Sequence, residues 1–201
     1  MKIVVVGATG TIGAAVVRAL TRTGRHEVLG TSRRSELAVD IEDPASIAGF
    51  LRGLPGIDAI VCCAGSGVFK PLGQLSEDDF SRSLRSKLMG QVNLTRAALQ
   101  HVADHGSITL TSGILAQRPT RGSAALSLAN AGIEGFVRAA ALEAPRGVRV
   151  NVVSPPWVTE TLEKLGMEVA AGLPADTVAN AYVAAVEGTF QGHTLNPVQF
   201  V

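Results

Sequence analysis

The stretch Lys2-Ile3-Val4-Val5-Val6-Gly7-Ala8-Thr9-Gly10-Thr11-Ile12-Gly13 decides the fold. Its first half is a continuous apolar run of strand length rather than an in-and-out alternation, so both faces of the strand are expected to be covered. Its second half spaces three glycines as G-x-x-G-x-x-G and leads straight into a helical pattern over 12–23. Glycine lets a chain turn sharply from strand to helix and lets phosphates approach the amides at the helix head. The spacing is not G-x-G-x-x-G, and no Gly-Lys-Ser/Thr follows, which argues against a nucleoside-triphosphatase loop. With a strand before and a helix after, Gly7, Thr9, Gly10, Thr11, Ile12 and Gly13 are expected to hold a dinucleotide. A plain glycine-rich β–α turn is the competing reading.

Outward from that stretch the same alternation repeats. Strand candidates are Lys2–Val6, Glu27–Thr31, 37–41, 58–63, 107–111, 148–153 and 194–200, with helical patterns at 12–23, Pro44–Arg52, 76–103, 123–143 and 174–187. Strands alternating with helices predict an α/β fold, a Rossmann-like doubly wound parallel sheet of about seven strands. Asp43-Pro44 and Ser76-Glu77-Asp78-Asp79 supply helix caps and acids near the positive helix end. Gly24 and Gly106 are expected to end helices. No repeat, low-complexity tract or linker interrupts the pattern, so a single domain over 1–201 is expected, with a substrate-loop region at about 154–175.

Composition narrows the function. Lysine and arginine number 18 against 17 acidic residues, a net charge of +1, which argues against nucleic acid as a partner. No apolar run approaches the roughly 18 residues of a membrane span. The apolar start is too short for a signal peptide, and the adjacent Cys62 and Cys63 offer no disulfide framework. A soluble cytoplasmic protein is the expectation.

The end of the second strand bears on cofactor choice. A site for NAD usually offers an acid there to the ribose 2′-hydroxyl. This chain has Gly30-Thr31-Ser32-Arg33-Arg34, whose hydroxyl and guanidinium groups suit a 2′-phosphate. NADP is therefore expected over NAD, with Ser32 and Arg33 as its contacts; an ordinary solvated arginine pair is the alternative.

At this point the chain resembles a short-chain dehydrogenase/reductase along nearly its whole length. The glycine loop is similar to the family's cofactor loop, and Val39-Asp40-Ile41 to the segment that brackets adenine. Cys62-Cys63-Ala64-Gly65 stands where the family has Asn-Asn-Ala-Gly. Val150-Asn151-Val152-Val153-Ser154-Pro155-Pro156 resembles the Val-Asn-x-x-x-Pro-Gly segment that closes over the nicotinamide. The resemblance implies cofactor contacts from Asp40, Ile41, Cys63, Ala64, Gly65, Pro155 and Pro156. The helix usual between the second and third strands is missing, leaving Arg34-Ser35-Glu36 as a short connection.

The family's catalytic residues do not carry over. The resemblance places Leu126 where the family has tyrosine, Asn130 at its lysine and Lys87 at its asparagine. Either Ser112 or Gly113 takes the serine position. In the family, tyrosine delivers a proton while lysine lowers the tyrosine pKa and grips the nicotinamide ribose. Leucine can neither give nor take a proton, so tyrosine-driven carbonyl reduction is expected to be absent or very slow. Leu126 and Asn130 are four apart and share a helix face. Asn130 would hold ribose hydroxyls, Lys87 would act as cation or acid, and Ser112 would donate to a substrate oxygen. A solvated lysine, a surface amide and a structural serine are the alternatives.

Other residues carry less. His101 and His105 have a spacing that zinc sites use, but no metal is expected there. Cys62 and Cys63 face opposite sides of a strand, one in the core, with Cys63 a candidate oxidisable thiol near the cofactor. Trp157 is either a lid or a packing plug. Tyr182, the chain's single tyrosine, has no catalytic place. Three functions compete: an NADPH-dependent oxidoreductase with a rebuilt proton donor acting on a small carbonyl or activated alkene, a non-catalytic NADP(H)-binding regulatory or partner protein, and a lyase or isomerase using the same pocket. The small residues on the helical patterns at 76–103 and 123–143 suggest a homodimer or homotetramer.

Overall fold

The computed structural model describes residues 1–170 and 172–201, so position 171, inside the expected substrate-loop region, lies outside the described residues. Strands β1 (Lys2–Val6), β2 (Glu27–Thr31), β3 (Ile57–Cys62), β4 (Val102–Thr111), β5 (Arg149–Val153) and β6 (Thr194–Leu195) form one sheet in the order β2-β1-β3-β4-β5-β6. Every pairing is parallel. Helices α2 (Pro44–Arg52), α4 (Gly90–Ala98) and α5 (Ala124–Glu143) cover one face. There Val4, Val6, Ile60, Ile108 and Val150 pack against Ile47, Leu94 and Ile133. Helices α1 (Thr11–Arg22) and α7 (Ala175–Glu187) cover the other, where Ile3, Val5 and Val61 meet Val16, Leu20 and Val178. Alternate residues of β1 thus enter opposite cores, which is why the strand reads as unbroken apolar sequence. The chain passes from β1 to β2 on one side and to β3 on the other, which opens a crevice at the carboxyl ends of β1 and β3.

The sheet has six strands, not about seven, because 37–41 is not a strand. A parallel neighbour for β2 needs a crossover of about a dozen residues. Here the chain turns at once, held by the Ser35 hydroxyl, which accepts from Ser32 N at 2.8 Å and lies 3.0 Å from the Leu37 carbonyl oxygen. Val39 and Ile41 instead bury into the core beneath α2 and α4.

The helical pattern at 76–103 is also divided. Helix α3 (Glu77–Ser83), with a reciprocal Ser76–Asp79 cap, runs into a wide π turn at Leu84–Met89 and then into α4. Gly106 ends no helix. It lies in β4, where a Cβ would collide with the Asp58 carbonyl oxygen of the neighbouring strand β3. The expected strand at 194–200 keeps only β6, and Pro197–Phe200 curls into a short 3-10 turn capped by Asn196.

Candidate active site

The glycine loop is built by close backbone approach. Gly7 has φ +87°, and a Cβ there would sit 2.8 Å from Ala64 N at the end of β3. Its amide and that of Ala8 donate to the Thr31 carbonyl at 2.8 and 3.0 Å, which ties β1 to β2. Gly13 is packed onto the loop: a Cβ would strike the Gly7 carbonyl oxygen and lie 3.0 Å from Ala8 Cα. Gly10 caps α1 without a side chain, and the first turn of α1 has no acid. The amides of Thr11 and Ile12 therefore head a 12-residue helix that has neither a capping side chain nor a first-turn acid at its positive end.

In front of that helix head lies a cavity of about 970 Å³. Gly7, Thr9 and Gly10 form one wall, Ser32 and Arg33 a second, Asp40 and Ile41 a third, and Cys63, Ala64 and Gly65 the floor. The cavity thus gathers most of the sequence-designated cofactor residues. Thr11, Ile12, Gly13, Pro155 and Pro156 do not line it. Pro155 is buried, and its carbonyl accepts from Ile114 N at 2.8 Å. Sequence reading missed Glu42 and Ser86, which also line the cavity. The Glu42 carboxyl is held below its ordinary range chiefly by a hydrogen bond from Ser86, with Arg85 at 3.2 Å and Arg33 adding to the effect.

A second cluster lies where β3 and β4 end. Lys87 sits in the π turn, a wide-turn geometry that recurs at functional sites. Its backbone lies against Gly65, where a Cβ would come within 2.9 Å of Lys87 Cα. Burial lowers the Lys87 ammonium from 10.5 to about 8, an effect that the nearby Cys62 and Cys63 thiols oppose. Among the described residues the ammonium makes a single, long hydrogen bond, 3.4 Å to the Thr111 carbonyl. Gln91 pins the floor, donating to the carbonyls of Thr111 at 2.9 Å and Lys87 at 3.0 Å and accepting from Thr111 N at 2.8 Å.

Asn130 faces the end of β4 from α5. It is only 2% exposed, and its Oδ1 has no hydrogen-bond partner among the described residues. Burying an unpaired amide oxygen costs on the order of 1–3 kcal/mol, so such an atom points to a missing partner. Gly113 looks directly at it: a Cβ on Gly113 would lie 3.0 Å from Asn130 Nδ2. Leu126, one turn earlier, packs its side chain onto Gly67. Ser112, in contrast, points elsewhere. Its hydroxyl donates to Glu134 Oε1 at 2.8 Å, and Gln117 holds the same carboxylate. The expectation that Ser112 presents a free donor is therefore corrected, because that hydrogen is already committed inside the protein.

Several other expectations are resolved by burial. Tyr182 is fully buried on α7 with its hydroxyl 2.8 Å from Thr111 Oγ1, a core residue on the face opposite α5. Cys62 is core and Cys63 lines the cavity, but burial pushes the Cys63 thiol up to about 12. Cys63 thus stands half-buried beside the cavity, as its expected place near the cofactor requires, with the thiolate form disfavoured. His101 and His105 do not share a helix, since α4 ends at Ala98, and no metal-binding group of three or more His, Cys, Asp or Glu occurs among the described residues. Trp157 packs edge-on against Phe69 with ring centres 6.1 Å apart.

A profile of the family described as enoyl-(acyl carrier protein) reductase matches residues 13–185. The chain belongs to the short-chain dehydrogenase/reductases. Within that family, cis-4-hydroxycyclohexanecarboxylate dehydrogenase of Sinomonas cyclohexanicum is 30% identical over 88% of this chain and 78% of its own length. The solved Listeria innocua protein lin1944 is 37% identical, with a TM-score of 0.93 over 98% of both chains. A small-chain dehydrogenase solved in complex with NADPH shares the fold at TM-score 0.85 and 22% identity, over 98% of this chain and 95% of that one. Short-chain dehydrogenase/reductases bind a nicotinamide dinucleotide, and the residues here fit one. The uncapped head of α1 and the glycine cradle suit its phosphates, and the unpaired Asn130 oxygen suits a hydroxyl donor.

Proposed function

We propose that the chain is an NADP(H)-dependent oxidoreductase in which Lys87 holds the proton that a tyrosine holds in most of its family. The supporting observation is the half-buried Lys87 ammonium beside the crevice, with a weak acceptor in the Thr111 carbonyl and a pKa lowered to about 8. In this reading Gly113, Leu126 and Asn130 occupy the family's serine, tyrosine and lysine positions. The dinucleotide lies with its adenosine half in the cavity bounded by Ser32, Arg33, Asp40 and Ile41, and Arg33 grips a 2′-phosphate. Cys63, Ala64, Gly65, Pro155 and Pro156 border its nicotinamide half. When bound, the cofactor supplies or accepts hydride.

The protein's own part is proton handling and orientation. Asn130 accepts from a hydroxyl with its unpaired oxygen, and Lys87 passes a proton from Nζ to the oxygen of a small carbonyl, or to the α-carbon of an activated alkene, then regains one from solvent. Leu126 on Gly67 makes the neighbouring wall apolar and dry. The segment at about 154–175, with Trp157, borders the substrate. Exposed Leu128, Leu142 and Met89 on and beside α5 and α4 suit a homodimer or homotetramer, and free thiols suit the cytoplasm.

A pH profile tests this reading. Reduction needs protonated Lys87, so the single-turnover rate of NADPH oxidation with small aldehydes, ketones and enones should be flat below pH 8. Above about pH 8 it should fall roughly tenfold per pH unit. The reverse oxidation should rise over the same window. The committed Ser112 hydroxyl and the hydroxyl-free Gly113 and Leu126 favour a second reading, a non-catalytic NADP(H)-binding protein. That reading predicts tight NADPH binding with no hydride transfer to any of these substrates.

A further inference from the structure

Helix α6 (Thr159–Lys164) ends on a lysine that reaches back across the fold: Lys164 Nζ donates to the Thr11 hydroxyl at 2.8 Å. That position opposes the local charge. A helix head carries about half a positive elementary charge, and α1 offers neither a capping side chain nor a first-turn acid to offset it. An ammonium placed there is repelled, and among the described residues the solvent-exposed Lys164 ammonium meets one neutral acceptor and no anion. Carboxylates are near at hand in the sequence, at Glu160, Glu163 and Glu168, yet Lys164 pairs with none among the described ion pairs. Glu160 is turned away to cap α7, accepting from Ala175 N at 3.0 Å. A stray cation and a bare positive helix head have one need in common, and it is an anion.

We propose that Lys164 is a phosphate-clamping residue, holding the pyrophosphate of a bound dinucleotide between its ammonium and the amides of Thr11 and Ile12. The proposal rests on the dinucleotide reading of the crevice. Thr11 holds the ammonium at the helix head until the phosphates arrive, and they then replace a neutral acceptor with a charged one. The clamp also reaches the substrate side. Helix α6 follows directly on Trp157 and Val158, and the Trp157 carbonyl accepts from Leu173 N at 2.8 Å, so a phosphate-held Lys164 fixes the segment that carries Trp157.

Lys164→Met, Lys164→Arg and the wild type, titrated calorimetrically with NADPH and with adenosine 2′-monophosphate, test the clamp. The monophosphate carries the adenine, ribose and 2′-phosphate but no pyrophosphate. Lys164→Met should weaken NADPH about 5- to 10-fold, the range of a charge-assisted contact at an exposed site. It should also reduce the salt dependence of NADPH binding and leave the monophosphate within about twofold of wild type. Lys164→Arg should recover most of the NADPH affinity. NADPH binding unchanged in Lys164→Met, an equal loss for both ligands, or no recovery with arginine would each overturn the clamp while leaving the crevice reading intact. A wild type that binds no NADPH overturns the crevice reading itself, and the clamp with it.

Discussion

Lys87→Met is expected to produce a protein that is more stable than wild type at pH 7 and has lost substrate reduction. The drop of the Lys87 pKa from 10.5 to about 8 corresponds to at most about 3 kcal/mol of penalty for keeping the cation in a half-buried site. Methionine fills the same volume without a charge, and with partial relaxation the gain should be about 2 kcal/mol, a rise in thermal midpoint of roughly 4–8 °C. The gain should depend on pH in a definite direction. Below about pH 8 both folded and unfolded lysine are protonated, and the folded wild type bears the full cost. Between about pH 8 and 10.5 the unfolded chain binds more protons than the folded one, so wild-type stability rises with pH and the advantage of methionine shrinks. Thermal denaturation at pH 7 and pH 10 reads both effects, and NADPH oxidation reads the lost reduction. A gap of equal size at both pH values would mean that the Lys87 ammonium is not desolvated.

Gly13→Ala should abolish dinucleotide binding, raising the Kd for NADPH at least about 100-fold, while the fold survives. The new methyl would overlap the Gly7 carbonyl oxygen and press on Gly7 C at 2.8 Å and Ala8 Cα at 3.0 Å, all backbone atoms that no rotamer change can move aside. The loop must shift to admit it, at a stability cost of about 2 kcal/mol, typical of overpacking a dense site. Gly10→Ala is the internal control, because its Cβ meets only the Gly7 carbonyl oxygen, at 3.3 Å. It should bind NADPH within a few-fold of wild type. Calorimetry for the ligand and circular dichroism for the fold distinguish the two variants. Equal binding by both would show that the cradle does not receive the cofactor.

The parts of this protein that sequence revealed are those in which neighbours along the chain are neighbours in space. β1, the glycine loop and α1 form one continuous stretch, and their roles follow from spacing alone. The segment 37–41 misleads for a related reason. Val39 and Ile41 have strand-like alternation, but that alternation records burial under α2 and α4, and only the shortness of the connection from β2 excludes a strand. The π turn that sets Lys87 has no breaker residue to announce it between α3 and α4. Which way Ser112 and Gly113 point at the end of β4 depends on Glu134 and Asn130 of α5, contacts between residues far apart in sequence. The meeting of Lys164 with Thr11 spans 153 positions and leaves no trace in local pattern.

Titration of the wild type and Arg33→Ala with NADPH and NADH is the decisive test of whether the crevice is tuned to a 2′-phosphate. The wild type should bind NADPH with micromolar or tighter affinity and at least about tenfold better than NADH, and Arg33→Ala should erase most of that preference while leaving NADH nearly unchanged. Absence of binding to either dinucleotide by the folded wild type would contradict a dinucleotide-binding crevice.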